Sequence, residues 1–359
     1  MLESPSIHIS AIVTMESESS YITKIIQYLR RQIFGRSYDM LDKLVEAFDQ
    51  QYTCPDILFL GDSTVLRVSN DDEDTRSTSD MLGGYFKGTS RVLGLSHGAY
   101  HLEIFFHLLS TLKRMRHHPH LIILPINLRS FSPQWYLRPN WQFRAEIELL
   151  VRYYSDHIHT RHYRKHKYQK YQDAYKKTPV HFPLSEIRTI GEFEEIRLSN
   201  YSSKDQQERR KRELFIYFYL YPISEGHPLL VKLREIVSLV KVLNCKIISY
   251  ITPVNVIAAR QSVGKEFDRY FSKNLDVVSG ILEKENIHVI TGRENFNVDF
   301  LHDSAICLDY SQELGSDYFF HEQSIDDHLN QKGRRFISDG IGATAVKWLE
   351  KEQAMKIEN

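Results

Sequence analysis

From residue 54 onward the chain alternates short apolar runs with longer amphipathic segments, and this alternation constrains its fold more than any other feature. The runs at 57–60, 91–95, 121–126, 246–251 and 287–290 have strand length and little polar interruption. The segments at 100–115, 229–243, 266–285 and 333–351 carry apolar residues at helical spacing. Strands separated by helices pair in parallel, because a parallel neighbour is reached through a crossover connection and not a tight turn. The expected fold class is therefore α/β: a three-layer α/β/α sandwich on a mainly parallel five-stranded sheet. Sites on such sheets lie at the carboxyl ends of the strands.

Ahead of this core, Ile22, Ile25, Ile26 and Leu29, then Leu41, Leu44, Val45 and Phe48, predict one or two helices. The expected organisation is an N-terminal helical extension over 1–53, an α/β domain over 54–350 and a short tail over 351–359. The strand–helix rhythm breaks between about 132 and 226. That stretch begins aromatic and basic (Arg161-His162-Tyr163-Arg164-Lys165-His166-Lys167-Tyr168) and ends polar and charged, with Arg209-Arg210-Lys211-Arg212 together. It reads as a mostly helical insertion covering the site from one side, since loops at strand ends tolerate additions and carry specificity.

An apolar content of 42% with 12% aromatics supports a real core and excludes wholesale disorder. Lys+Arg and Asp+Glu are both 46, so no global field favours nucleic acid or an anionic membrane. Three cysteines, Cys54, Cys245 and Cys307, form no close-spaced pair and read as reduced, buried thiols of an intracellular protein. The first twenty residues lack the basic start and apolar segment of a signal peptide, and no run reaches the roughly 18 apolar residues of a membrane span. The expected location is the cytoplasm; oligomeric state leaves no sequence signal.

The chemistry is carried by four separated stations. Gly61-Asp62-Ser63 follows the first apolar run, where glycine permits a sharp turn that presents the serine. Val92-Leu93-Gly94-Leu95-Ser96-His97-Gly98 closes the second run with a glycine whose N–H a developing oxyanion can approach. Leu121-Ile122-Ile123-Leu124-Pro125-Ile126-Asn127 ends the third in an amide donor, and Asp326-Asp327-His328 precedes the last helical segment. A serine hydroxyl is a poor nucleophile until a base takes its proton and an acid orients that base. Gly-Asp-Ser alone is short enough to arise by chance; its place before three further stations in order is what gives it meaning.

Ser, Gly, Asn and His in this order resemble the SGNH (GDSL-type) hydrolase superfamily over residues 56–350, leaving out the N-terminal helices and the insertion. The resemblance implies Ser63 as nucleophile and His328 as general base and then acid. It implies an oxyanion hole from the Ser63 and Gly98 backbone N–H groups and the Asn127 side chain. The family places its aspartate three residues before the histidine, where this chain has Ile325. Asp326, two residues before, is assigned to orient His328, a spacing that also resembles the alginate O-acetyltransferase relatives; Asp327 is the alternative. The third station reads Pro-Ile-Asn-Leu, not the family's Gly-x-Asn-Asp.

Asp62, His97, His101 and Arg129 are candidate substrate contacts, with Pro253 and Asn255 at the rim. The two histidines read equally as packed residues behind the site, and Arg129 either as a clamp for an anionic group or as a surface ion pair. His157, His159, His162 and His166 lie among cations without a carboxylate or cysteine at ligand spacing, so no metal and no cofactor are expected. The basic and aromatic insertion reads as a solvated helix in preference to an RNA-binding one.

The expected function is that of a serine esterase removing an O-acyl group, most simply O-acetyl, from a carbohydrate or glycoconjugate through an acyl-enzyme. The partner is a small-molecule or glycan ester, anionic if Arg129 and the basic insertion meet it. The wording of the blocks resembles bacterial proteins associated with surface polysaccharides. A sugar hydroxyl in place of water as acceptor makes the same site an O-acyltransferase. A non-catalytic binding protein of the same fold is the competing class.

Overall fold

The computed structural model describes residues 39–50, 54–86, 89–155, 166–291, 305–321, 325 and 327–358. Its centre is a parallel sheet of strands β1 (Ile57–Gly61), β2 (Val92–Ser96), β3 (Leu121–Ile126), β4 (Lys246–Ile251), β5 (His288–Thr291) and β6 (Ala305–Asp309). Their spatial order is β2-β1-β3-β4-β6-β5, and every pairing is parallel. The α/β class and parallel pairing stand as expected, with one correction: the sheet has six strands, not five. The missed strand, β6, is a five-residue element whose apolar part is small (Ala305, Cys307) and which ends in Asp309. It fills the place between β4 and β5, which are not neighbours.

Alternate residues of β1 enter two separate cores, as period-2 geometry requires of a strand covered on both faces. Ile57 and Phe59 join Leu82, Ile337, Ile341 and Trp348 from the helices Thr78–Tyr85 and Gln331–Glu358. Leu58 and Leu60 join the opposite cluster, with Phe105, Leu108, Leu233 and Phe271 from the helices Leu102–Leu112, Pro228–Val242 and Glu266–Lys284. Ile57, Leu58, Phe59 and Leu60 are all fully buried, which is why the strand reads as an unbroken apolar run.

Described residues between 132 and 226 form the helices Pro133–Tyr136, Arg144–Ser155, His166–Lys176, Ile190–Leu198 and Lys204–Tyr219. The last has a charged first half and a wholly buried second half, Leu214 to Tyr219, which belongs to the main core. Its arginines are partly spent on carbonyls: Arg210 Nη2 donates to Arg197 O at 2.7 Å and Arg212 Nη2 to Leu184 O at 2.9 Å. The predicted helix around residues 22–29, the basic stretch 161–165, His157, His159 and Asp326 lie outside the described residues.

Candidate active site

β1 leads on to β2 at one side of the sheet and β3 leads on to β4 at the other, so the carboxyl ends of the neighbours β1 and β3 flank a topological switch point. Gly61 ends β1 against Ser96 Oγ and Val65, with no room for a Cβ. The chain then turns into the short helix Ser63–Leu66, capped by Asp62, whose Oδ1 accepts from Thr64 N at 2.8 Å and Thr64 Oγ1 at 2.6 Å. This cap places Ser63 on the first turn over the strand end.

Asn127 leaves β3 at the neighbouring strand end and holds the site together. Its Nδ2 donates to Asp62 Oδ2 at 2.9 Å and to Asp327 Oδ2 at 2.6 Å. Its Oδ1 accepts from Arg129 N at 3.0 Å, so the amide orientation is fixed by donors and acceptors on both sides. Arg129 folds back over the serine: Nη1 pairs with Asp327 Oδ1 at 2.8 Å and Nη2 donates to Ser63 Oγ at 3.2 Å. Its guanidinium lies 5.0 Å from the Trp135 ring and 5.4 Å from that of Phe218, so residues of the 132–226 segment help to bury it. Burial pushes the Asp327 carboxyl above its usual range, and the Asp62 charge adds to this; Arg129, His328 and the Asn127 amide pull the other way.

Asp62, Ser63, Asn127, Arg129, Asp327 and His328 are all buried. His328 follows Asp327 directly, with its ring 5.5 Å from that of Phe320. Among the described residues, the side-chain hydrogen bond of the Ser63 hydroxyl is to Arg129 and not to His328. The histidine segment is latched to the acidic loop that follows the serine. Arg334, fully buried, donates through Nη1 to Asp72 Oδ2 at 2.6 Å and to Leu329 O at 3.0 Å, and through Nε to Arg76 O at 3.0 Å. Gln331 N donates to Asp72 Oδ1 at 3.0 Å, and Gln331 Oε1 accepts from Asp74 N at 2.8 Å. The acidic run at 71–74 is thus the anchor of the last helix.

At the end of β2, His97 N donates to Gly61 O at 3.2 Å, which carries the next residues past the β1 turn. Gly98 faces open space: a Cβ there would meet nothing within 4 Å. Ala99 sits at φ +67°, a left-handed backbone rare for a residue with a Cβ and concentrated at functional sites. The His97 ring lies 4.9 Å from Tyr100 and 5.7 Å from Phe143. Tyr100 donates to Glu146, whose carboxyl burial pushes up to about 7. His101 is turned inward. It caps the Leu102–Leu112 helix by accepting from Glu103 N at 3.3 Å and bonds Trp135 O through Nε2 at 3.1 Å, and burial lowers its pKa to about 4. Both of its ring nitrogens are thus engaged within the fold.

The structure therefore joins Asp62, Ser63, Asn127, Arg129 and Asp327 through direct bonds. The ion pair of Arg129 is not the surface pair that the sequence offered as one alternative: it is made with Asp327 in a buried position beside Trp135 and Phe218. Asp71-Asp72-Glu73-Asp74 reads in the sequence as a short acidic loop after the serine, but nothing local marks the pairing of Asp72 with an arginine so far along the chain. Among the described residues no group of three or more His, Cys, Asp or Glu side chains is placed to hold a metal ion. No helix among them is long and apolar enough to cross a membrane.

No family model and no curated protein matches the chain. Among solved structures, it is similar to a catalytic mutant of Axe2, an acetylxylan esterase from Geobacillus stearothermophilus, at 12% identity and a TM-score of 0.28, over 65% of this chain and 73% of that one. A second mutant of Axe2, an acetyl-xylooligosaccharide esterase from the same organism, matches at 12% identity and a TM-score of 0.27, over 67% of this chain and 75% of that one. Likeness at this level carries no weight for the chemistry, which rests on the residues themselves.

Proposed function

We propose that this chain is a serine-dependent ester hydrolase that removes O-acyl groups, most simply O-acetyl, from a carbohydrate or glycoconjugate. The observation that carries the reading is the convergence of distant stations at one switch point: Asn127, at the end of β3, bonds both Asp62 beside the serine and Asp327 beside the histidine. In this reading His328 takes the Ser63 proton as Oγ attacks the acyl carbonyl, then returns it to the departing sugar hydroxyl. Water releases the acyl group from Ser63. The Ser63 and Gly98 backbone N–H groups serve the oxyanion, and the open space at Gly98 is the side from which substrate approaches. Asp326, or Asp327 with its bonds to Asn127 and Arg129, orients the base.

The test is turnover of p-nitrophenyl acetate and of an acetylated oligosaccharide, with and without sugar acceptors. The expected result is acetate release that depends on Ser63 and His328 and is unchanged by acceptors. Acylated sugar in place of acetate would transfer the reading to the acyltransferase branch.

A non-catalytic binding role is the second reading. It is favoured by the bond from Arg129 to Ser63 Oγ and by the burial of the whole cluster. Absence of turnover on all acyl substrates by a folded protein would support it.

A further inference from the structure

We propose that Arg129, and not the Asn127 amide, is the side-chain donor that stabilises the oxyanion, an assignment that rests on the esterase reading above. Asn127 is fully committed. Its two amide hydrogens hold Asp62 at 2.9 Å and Asp327 at 2.6 Å, and its carbonyl holds Arg129 N at 3.0 Å. Turning that amide toward a substrate would leave one oxygen of a buried carboxylate, Asp62 Oδ2 or Asp327 Oδ2, without the donor it has here, a costly exchange. Arg129 already has Nη2 on the reacting atom, at 3.2 Å from Ser63 Oγ.

The geometry of the step favours it. As Oγ bonds to the carbonyl carbon, its proton passes to His328 and the carbonyl π pair moves onto the carbonyl oxygen. That oxygen sits on the same carbon as Oγ, one bond angle from a donor that is already in place. The guanidinium loses no proton. Its charge lies in a buried site, where a cationic donor is stronger than a neutral amide. Asp327 holds the other nitrogen at 2.8 Å, and the Trp135 and Phe218 rings lie 5.0 and 5.4 Å from the guanidinium carbon, so the donor is oriented before the reaction begins. Asn127 then serves as a positioning residue that keeps two carboxylates in register.

Steady-state kinetics on the full-length protein with p-nitrophenyl acetate test the assignment. Arg129→Lys keeps the positive charge beside Asp327 but lacks the fork that spans Asp327 and Ser63. The expected result is a fall in kcat of about 100-fold with KM little changed, in a variant whose melting temperature stays near that of wild type. A folded Arg129→Lys variant with kcat within about threefold of wild type overturns the assignment. If that variant does not fold, Asp327→Asn is compared with the Arg129→Gln/Asp327→Asn pair: a further drop of about 100-fold supports the assignment and equal turnover overturns it. Wild type that neither turns over nor forms an adduct at Ser63 overturns the esterase reading itself, an outcome distinct from a silent Arg129.

Discussion

Asn127 Nδ2 donates to Asp327 Oδ2 at 2.6 Å across a sequence separation of 200 residues. The same nitrogen holds Asp62, so one amide spaces two buried carboxylates that would otherwise repel. Asn127→Ala removes both donors at once and leaves each carboxylate poorly solvated. The expected loss is about 3 kcal/mol in stability, read by urea denaturation. A loss below about 0.5 kcal/mol, the usual range for surface changes, would show that water replaces the amide without cost.

Arg334 ties the loop after Ser63 to the helix after His328 through Asp72, at 2.6 Å, and the carbonyls of Asp74 and Arg76, and it also bonds Leu329 O beside the helix. Arg334→Met strands the Asp72 carboxylate and frees those carbonyls. It is expected to cost about 3–5 kcal/mol and to slow ester turnover as the two segments loosen. Denaturation and p-nitrophenyl acetate kinetics on the same preparation check both.

Two glycines should respond with opposite sign. At Gly333 a Cβ would stand 2.5 Å from Tyr318 O and 2.9 Å from Leu329 Cβ, so the start of the last helix must shift. Gly333→Ala is expected to destabilise by about 1–3 kcal/mol and, being near His328, to lower turnover. Gly280 lies inside the Glu266–Lys284 helix with nothing within 4 Å of a Cβ. Gly280→Ala is expected to stabilise by about 0.5–1 kcal/mol with turnover unchanged. Thermal melts of the two variants beside wild type decide it.

Much of the fold was legible because β1, β3 and β4 are buried on both faces and so read as continuous apolar runs. Strand β6 was not, since small Ala305 and Cys307 leave its run only Ile306 and Leu308 as large apolar residues before Asp309. Ser63, Asn127 and the Asp-His block were legible because each ends or precedes a recognisable element. The partners of Arg129 were not: its burial depends on Trp135 and Phe218, which lie in a stretch without strand–helix rhythm. The Arg334–Asp72 pair was hidden for a related reason, since a charged side chain near a helix start reads as solvated until the opposing loop is placed.

Acid pH should destabilise the fold through buried histidines. His227 caps the Pro228–Val242 helix by accepting from Leu229 N at 3.2 Å and bonds Phe131 O through Nε2 at 3.1 Å; burial lowers its pKa from 6.5 to about 4. Between those values the unfolded chain takes up a proton that the folded chain refuses, so this contribution is present above about 6.5 and is lost as pH falls toward about 4. The stability gap between wild type and His227→Gln should therefore narrow by about 3 kcal/mol across that window. A gap independent of pH would mean that the folded protein accepts the proton.

Every step of the proposed chemistry depends on Ser63 acting as a nucleophile served by His328. The most direct measurement is covalent labelling of the full-length protein with a fluorophosphonate, followed by peptide mapping. A single adduct on Ser63, absent in Ser63→Ala and strongly slowed in His328→Ala, is the predicted result. Folded wild type that takes up no label, or a label retained in Ser63→Ala, would rule out Ser63 as the nucleophile.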